Sequence, residues 1–305
     1  MLGISCHSVR KLYFNIQRFK YMNTQTTINR TLLRAANSII ANIANTENIG
    51  LNNGKMAICL FFHKYYLITG AKTYEDIAYI LMDEIIKQLS SEKMALSISQ
   101  MSEVGVGLLE LFDSGFFETS DISGIVKNID HLVLKHPYFL QSSDRKRCQQ
   151  DIFFQGIYVL KRLLLEQFAL HSDTLCLFAT KIYEYINLQD ETLINRRDLY
   201  WLVLKFVFKE LMNKSTENQL FQILAKSGDN MFEKIHVEDG IIFKEERLLP
   251  YLLCQVLLPK LCLRDLLTEG EICQRIDKEI QNLYYNKYTA NVSISILSLY
   301  LIFKS

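Results

Sequence analysis

The chain has 305 residues, 49% of them apolar, and a formal net charge of +1. That balance gives no electrostatic reason to expect nucleic acid or an acidic polymer as a partner, and 3 prolines with 12 glycines leave little material for the turns of a β-sandwich or barrel. A chain of this length can bury a large core, and the Leu, Ile, Lys, Glu and Gln that dominate between the glycines favour helix nearly throughout.

From the N-terminus, residues 1–46 contain no Asp or Glu but carry Arg10, Lys11, Arg18, Lys20, Arg30 and Arg34. Such a stretch can be a transit peptide or a membrane-surface helix. It lacks an uninterrupted apolar core and a small-residue cleavage site, so a plain surface helix is expected, with residues 1–29 as a less ordered basic lead-in. The cysteines (Cys6, Cys59, Cys148, Cys176, Cys254, Cys262 and Cys273) are odd in number and far apart. They read as reduced, small core residues rather than a disulfide framework. No segment supplies the run of about 18 apolar residues that a bilayer span needs. A soluble, cytoplasmic protein is expected.

The first repeated feature is a glycine at the head of an apolar stretch. Gly54 precedes Lys55-Met56-Ala57-Ile58-Cys59-Leu60-Phe61-Phe62, Gly105-Val106-Gly107 precedes Leu108-Leu109-Glu110-Leu111-Phe112, and Gly156 precedes Ile157-Tyr158-Val159-Leu160. Both steps, Gly54 to Gly105 and Gly105 to Gly156, are 51 residues. A fixed interval of this size marks a stacked supersecondary unit.

Each unit reads as two helices. The helix after Gly54 stops at Gly70, and a second starts at Thr73-Tyr74-Glu75-Asp76, with Thr73 as cap. Its stripe is Ile77, Leu81, Ile85 and Leu89. The second unit is read as a Gly105–Phe112 helix ended by Gly115, then a helix from Ser120-Asp121 with Ile122, Ile125, Val126, Ile129, Leu132 and Val133 on one face, stopped by Pro137. The third unit has Ile157–Phe168 and Thr174–Leu188. Beyond it follow Asp198–Met212, a Thr216–Gln219 capping box, Leu248–Leu263, a Thr268-Glu269-Gly270-Glu271 box with the stripe Ile272, Ile276, Ile280 and Leu283, and a last apolar helix from about Val292. One member of each pair is apolar nearly all round and the other on one face only. This alternation predicts an inner and an outer layer. The final helix is too apolar to cap an open solenoid, which favours a closed ring.

Gly50-Leu51-Asn52-Asn53-Gly54-Lys55-Met56-Ala57 resembles the Gly-Leu-x-x-Gly-x-x-Gly signature of lanthionine synthetase C-like proteins, with Ala57 in place of the third glycine. Val104-Gly105-Val106-Gly107-Leu108-Leu109-Glu110-Leu111, running on to Ser114-Gly115-Phe116, is similar to the second repeat of short bacterial members. The likeness is best over residues 30–135. It implies an all-α, single-domain α/α toroid over residues 1–305, with Gly50, Leu51, Gly54, Gly105 and Gly107 as structural motif residues at inner-helix starts near the centre. The family's enzymes cyclise modified peptides at a zinc ion held by two cysteines and a histidine. Zinc supplies the thiolate that a free thiol barely populates at neutral pH. The family's Cys-Gly and Cys-His-Gly ligand motifs are missing here. The only Cys-His pair is Cys6-His7, and no histidine follows His236. Cys254, Cys262 and Cys273 with His236 form the one alternative set, and Pro259 interrupts the helix that would align the first two. The resemblance therefore implies a degenerate member that binds a ribosomal peptide or a peptide-modification partner, without zinc, other cofactor or located catalytic residues.

Other residues carry weaker signals. His63 stands near the glycine motif among Phe61, Phe62, Tyr65 and Tyr66, and reads first as a packed histidine. His131 and His136 flank a helix end, where a cation complements the dipole. Asp113, Glu118 and Asp121 could pair for acid–base chemistry of the glycosidase kind, but an amphipathic helix start enriched in acids explains them more simply. Arg145-Lys146-Arg147 reads as a solvated turn. Two alternatives stand beside the peptide-binding toroid. One is an α/α-barrel enzyme of glycosidase or terpenoid-cyclase type using carboxylates, and the other is a non-catalytic helical interaction scaffold.

Overall fold

A computed structural model describes residues 26–52, 54–90, 97–118, 122–135, 267–283 and 290–304, and single positions at 154, 155, 157, 158, 161, 252 and 256. The expected helices over 174–188 and 198–212, and the box at Thr216, lie outside these residues, as do positions 1–25 of the basic lead-in, Asp121, His136, Pro137, Arg145–Arg147, Gly156, His236, Cys254 and Cys262; of the helix expected over 248–263 only Leu252 and Val256 are described. All regular structure among the described residues is helical. Helix α1 covers 26–42 and runs into a 3-10 turn at Ile43–Asn45. Then follow α2 (Lys55–Thr69), α3 (Lys72–Leu89), α4 (Ile98–Asp113), α5 (Ile122–Lys135), α6 (Glu269–Asn282) and α7 (Ala290–Lys304).

The two classes of helix expected from the sequence are both present. In α2, Met56, Ala57, Ile58, Cys59, Leu60, Phe61 and Phe62 are all wholly buried. Only a helix covered on every side buries seven consecutive residues, because that run turns through almost two full circles. In α7, Ser295 to Leu301 are likewise buried throughout. By contrast α3 buries Ala78, Leu81, Met82 and Ile85 and leaves Tyr79, Ile80 and Ile86 exposed. In α5 Val126, Ile129 and Val133 are buried while Leu132 is exposed, and in α6 the buried positions are Ile272, Cys273 and Ile276. Helix α1 buries Ile28, Leu32, Ala35, Ala36 and Ile39, so the expected surface helix carries a core-facing stripe.

Sequential helices pair as antiparallel hairpins. Lys55 reaches Glu84 at 2.6 Å and the Cys59 Sγ donates to the Ala78 carbonyl at 3.3 Å, so α3 runs back along α2. The Lys304 Nζ donates to the Leu267 carbonyl at 2.7 Å, which fixes the end of α7 beside the start of α6. Helix α2 packs on α3, on α4 and on α7, so its neighbours include the last described helix as well as the next repeat. Helix α1 meets α6 through an Arg34–Asp277 ion pair at 2.8 Å.

Three local expectations are settled at the helix ends. Thr268 caps α6 reciprocally with Glu271, as the box predicts. Gly70 and Gly115 take left-handed conformations with φ 65° and 78°. At the end of α4 the Gly115 amide donates to the Phe112 carbonyl and the Phe116 amide to that of Leu111. This is a Schellman closure that needs the positive φ glycine supplies without strain. Two boundaries differ from expectation. Helix α3 begins one residue before Thr73, after Ala71, with no side-chain cap. Helix α4 begins at Ile98, upstream of Gly105, because Ser97 and Gln100 form a capping box there. Gly105 and Gly107 are therefore interior helix residues, and their role is close approach rather than helix opening.

Candidate functional site

Buried His63, Ser99, Ser102 and Glu103 lie on the first two glycine-bearing helices, α2 and α4. The loop entering α2 is closed by its own backbone. The Gly50 amide donates to the Asn48 Oδ1 at 2.7 Å, the Lys55 amide to the Asn48 carbonyl at 2.8 Å, and the Met56 amide to the Ile49 carbonyl at 3.2 Å. Leu51 is wholly buried beneath this loop. Gly54 is the N-cap of α2 in extended conformation. A Cβ at Gly54 would run into the backbone of Gly50 and the carbonyl of Asn48, so the tight fold of the loop, not its φ, requires glycine there.

Glu103 joins this loop to α4. Its carboxylate is buried, accepts the Asn52 amide at 2.9 Å, and accepts the Ser99 hydroxyl at 3.3 Å. A Cβ on Gly50 would collide with the same carboxylate. Gly50 is thus the gap through which Glu103 reaches the loop backbone. Charge-assisted bonds of this kind are stronger than neutral ones, and this one holds two successive repeats in register across 51 residues.

That interval recurs along the whole α2–α4 seam. The Met56 side chain occupies the space beside Gly107, and the His63 Nε2 lies 3.3 Å from the Ser114 carbonyl. The constant offset makes α2 and α4 parallel neighbours. The next step is equivalent. Glu110 takes Lys161 at 2.6 Å, again 51 residues on, and Lys64 at 3.0 Å, while Asp113 stands 3.9 Å from Lys161. Burial acts to raise the Glu110 pKa, but the Lys161 and Lys64 charges and hydrogen bonds overcome it and hold the carboxyl below its ordinary range. Gly105 faces the Tyr158 ring and Ile129, and the Tyr158 hydroxyl donates to Asp130 at 2.6 Å.

His63 is buried, with the Phe116 ring edge-on at 5.1 Å. Its Nδ1 is buried without a hydrogen-bond partner. Burial is the largest influence and lowers its pKa, against a raising effect from the Ser114 bond. The neutral imidazole therefore donates from Nε2 to Ser114. Phe61, Phe62, Tyr65 and Tyr74 form a second aromatic group, with Tyr65 and Tyr74 at 4.7 Å, and burial beside Tyr74 pushes the Tyr65 hydroxyl up to about 12.

Among the other described sequence candidates, Asp113 reaches this site through Lys161 and the rest do not join it. Asp113 and Glu118 are exposed and His131 is exposed on α5. Cys273 is buried on α6, its pKa raised chiefly by burial and lowered by a hydrogen bond with Thr31 of α1. It packs as a small core residue. Burial likewise pushes the Cys59 thiol far up. Among the described residues no three His, Cys, Asp or Glu side chains converge as a metal site. Of the alternative zinc set only Cys273 is among them, and His236, Cys254 and Cys262 lie outside the described residues.

Sequence reading overlooked Glu103 and the cluster of Glu110, Lys64 and Lys161. The signal was present. Glu110 and Lys161 are charges set within apolar stretches, one period apart and of opposite sign. What this arrangement does chemically is bind repeat to repeat, since both carboxylates are committed to partners within the fold. No protein-family model, curated protein or solved structure matches the chain.

Proposed function

We propose that the helix pairs close into an α/α toroid of the lanthionine synthetase C-like kind, and that the chain binds a peptide at the toroid centre without zinc-dependent cyclisation. The packing of α7 against α2 is the observation that carries closure, since it joins the last described pair to the first. The 51-residue register between parallel α2 and α4 supports the same reading, because neighbouring inner helices of a ring run parallel. The Gly50–Gly54 loop supports the family resemblance. The missing Cys-His pair in the later sequence and the core packing of Cys273 motivate the non-catalytic half.

Two measurements test these halves separately. A closed compact chain of this length has a radius of gyration of about 19 Å, and small-angle scattering giving a much larger value would end the toroid. Metal analysis of the purified full chain is expected to give no stoichiometric zinc. One zinc per chain would overturn the non-catalytic reading while leaving the fold intact. Fluorescence anisotropy with a labelled Ser/Thr/Cys-rich peptide then checks for binding.

A second reading is favoured by a specific observation. Seven consecutive wholly buried residues of α2 leave none of that stretch lining an open channel. A helical interaction scaffold with a filled centre accounts for this directly. Absence of peptide binding, with the compact shape retained, would select it.

A further inference from the structure

We propose that His63 is an acid-operated latch on the seam between α2 and α4. The inference rests on packing and does not depend on the peptide-binding reading. His63 sits on the third turn of α2, and its Nε2 is bonded to the carbonyl of Ser114, the residue that ends α4. Ser114 is itself a fixed point. Its hydroxyl donates to the Glu110 carbonyl at 2.9 Å and lies 3.1 Å from that of Leu111, and the Schellman closure of Gly115 and Phe116 follows immediately. The imidazole thus fastens one helix to the most tightly knotted end of its neighbour.

The opposite nitrogen makes the fastening conditional. Nδ1 is enclosed and has no partner, with the Phe116 ring packed edge-on against the imidazole. As a lone pair it is tolerated there. As an N–H of a cation it would be a buried charge with an unsatisfied donor, which costs far more than an unmade neutral bond. The charged groups facing it do not offset this. Lys64 on its own helix repels a cation, Glu75 of α3 and Glu110 of α4 attract one, and Glu110 is already engaged by Lys64 and Lys161. Burial outweighs them, and the imidazole pKa stays below its ordinary 6.5. Protonation therefore favours a seam opened far enough for Nδ1 to reach water.

The sign follows from linkage. Burial holds the closed-seam imidazole below its ordinary 6.5, so the closed form binds fewer protons than an opened one in acid, and opening rises as the pH falls below 6.5, by at most about tenfold per unit. The test is amide hydrogen exchange on the full chain at pH 7.5 and 5.5, corrected for intrinsic exchange. The wild type is expected to lose protection at Ser114, Gly115 and Phe116 across this range, by up to about tenfold. His63→Gln is expected to lose little, because glutamine does not titrate; the other histidines remain in both proteins and cancel. Equal losses in the two proteins would overturn the latch. Should the variant fold poorly, an NMR titration of wild-type His63 decides instead. A pKa below 6.5 with the Nε2–H tautomer supports the proposal, and a pKa at or above 6.5 refutes it.

Discussion

The side chain of Met56 occupies the space that a Cβ on Gly107 would need, one repeat interval later in the sequence. Each of the first two units thus contributes one half of a fitted contact, a long flexible side chain from α2 and a bare backbone from α4. Glycine inside a helix costs about 1 kcal/mol relative to alanine, so the gain must come from the close approach it permits.

Gly107→Ala is expected to destabilise the protein by about 1–2 kcal/mol, since the clash involves the Met56 Cγ and not only its mobile tip. In a Met56→Ala background the same change should become neutral or favourable, because helix propensity then decides. Urea denaturation of the four proteins measures the coupling. Additive effects would show that the two residues do not share this contact.

Gly54→Ala is expected to cost more than Gly107→Ala, in the range of about 3 kcal/mol or more, because the obstacle is backbone of Gly50 and Asn48 that cannot change rotamer. Gly70 provides the contrast. Nothing lies within reach of a Cβ there, and only its φ of 65° opposes a side chain. Gly70→Asn should therefore change the unfolding free energy, measured by urea denaturation, by a few tenths of a kcal/mol, as asparagine tolerates this conformation.

Glu110 binds three helices through Lys64 and Lys161, and Lys161 is buried. Glu110→Gln leaves that ammonium, among the described carboxylates, with Asp113 at 3.9 Å, and a cost of about 3 kcal/mol is expected. The depressed carboxyl also sets a pH window. Its contribution is complete above the unfolded value of 4.5 and is lost as pH falls through that value towards the lower folded one. Stability measured from pH 6 to pH 3 should fall less steeply in Glu110→Gln than in the wild type.

Gln155 is wholly buried, and neither end of its amide has a hydrogen-bond partner. Gln155→Leu is expected to raise the unfolding free energy by about 1 kcal/mol, since an unsatisfied buried amide is replaced by an apolar side chain of similar size. Thermal denaturation checks this, and a loss of stability would mean that the amide is satisfied in solution.

Helix class and pairing were readable because they depend on local pattern. Thr268 with Glu271 announced α6, and the uniform apolarity of Met56–Phe62 announced a helix covered on all sides. The start of α4 was misjudged because Gly105 and Gly107 look like breakers, while Ser97 and Gln100, a weaker signal, set the true end. The seam polar groups were harder still. A period fixes the offset between Asn52 and Glu103, but not the rotation that turns both towards one another. That rotation comes from packing, which a single sequence does not display. Nothing in the pattern alone distinguished His63 as bonded at one nitrogen and bare at the other.

The contact between α7 and α2 also bears on how the molecule is made. Thr69 ends one partner and Ala290 begins the other, so more than 200 residues separate them. During synthesis the apolar flank of α2 must wait, uncovered, for a segment that leaves the ribosome long afterwards. Until then the nascent chain exposes Met56–Phe62 surface to whatever chaperone or aggregate finds it first. Truncation before Ala290 would make that interim state permanent.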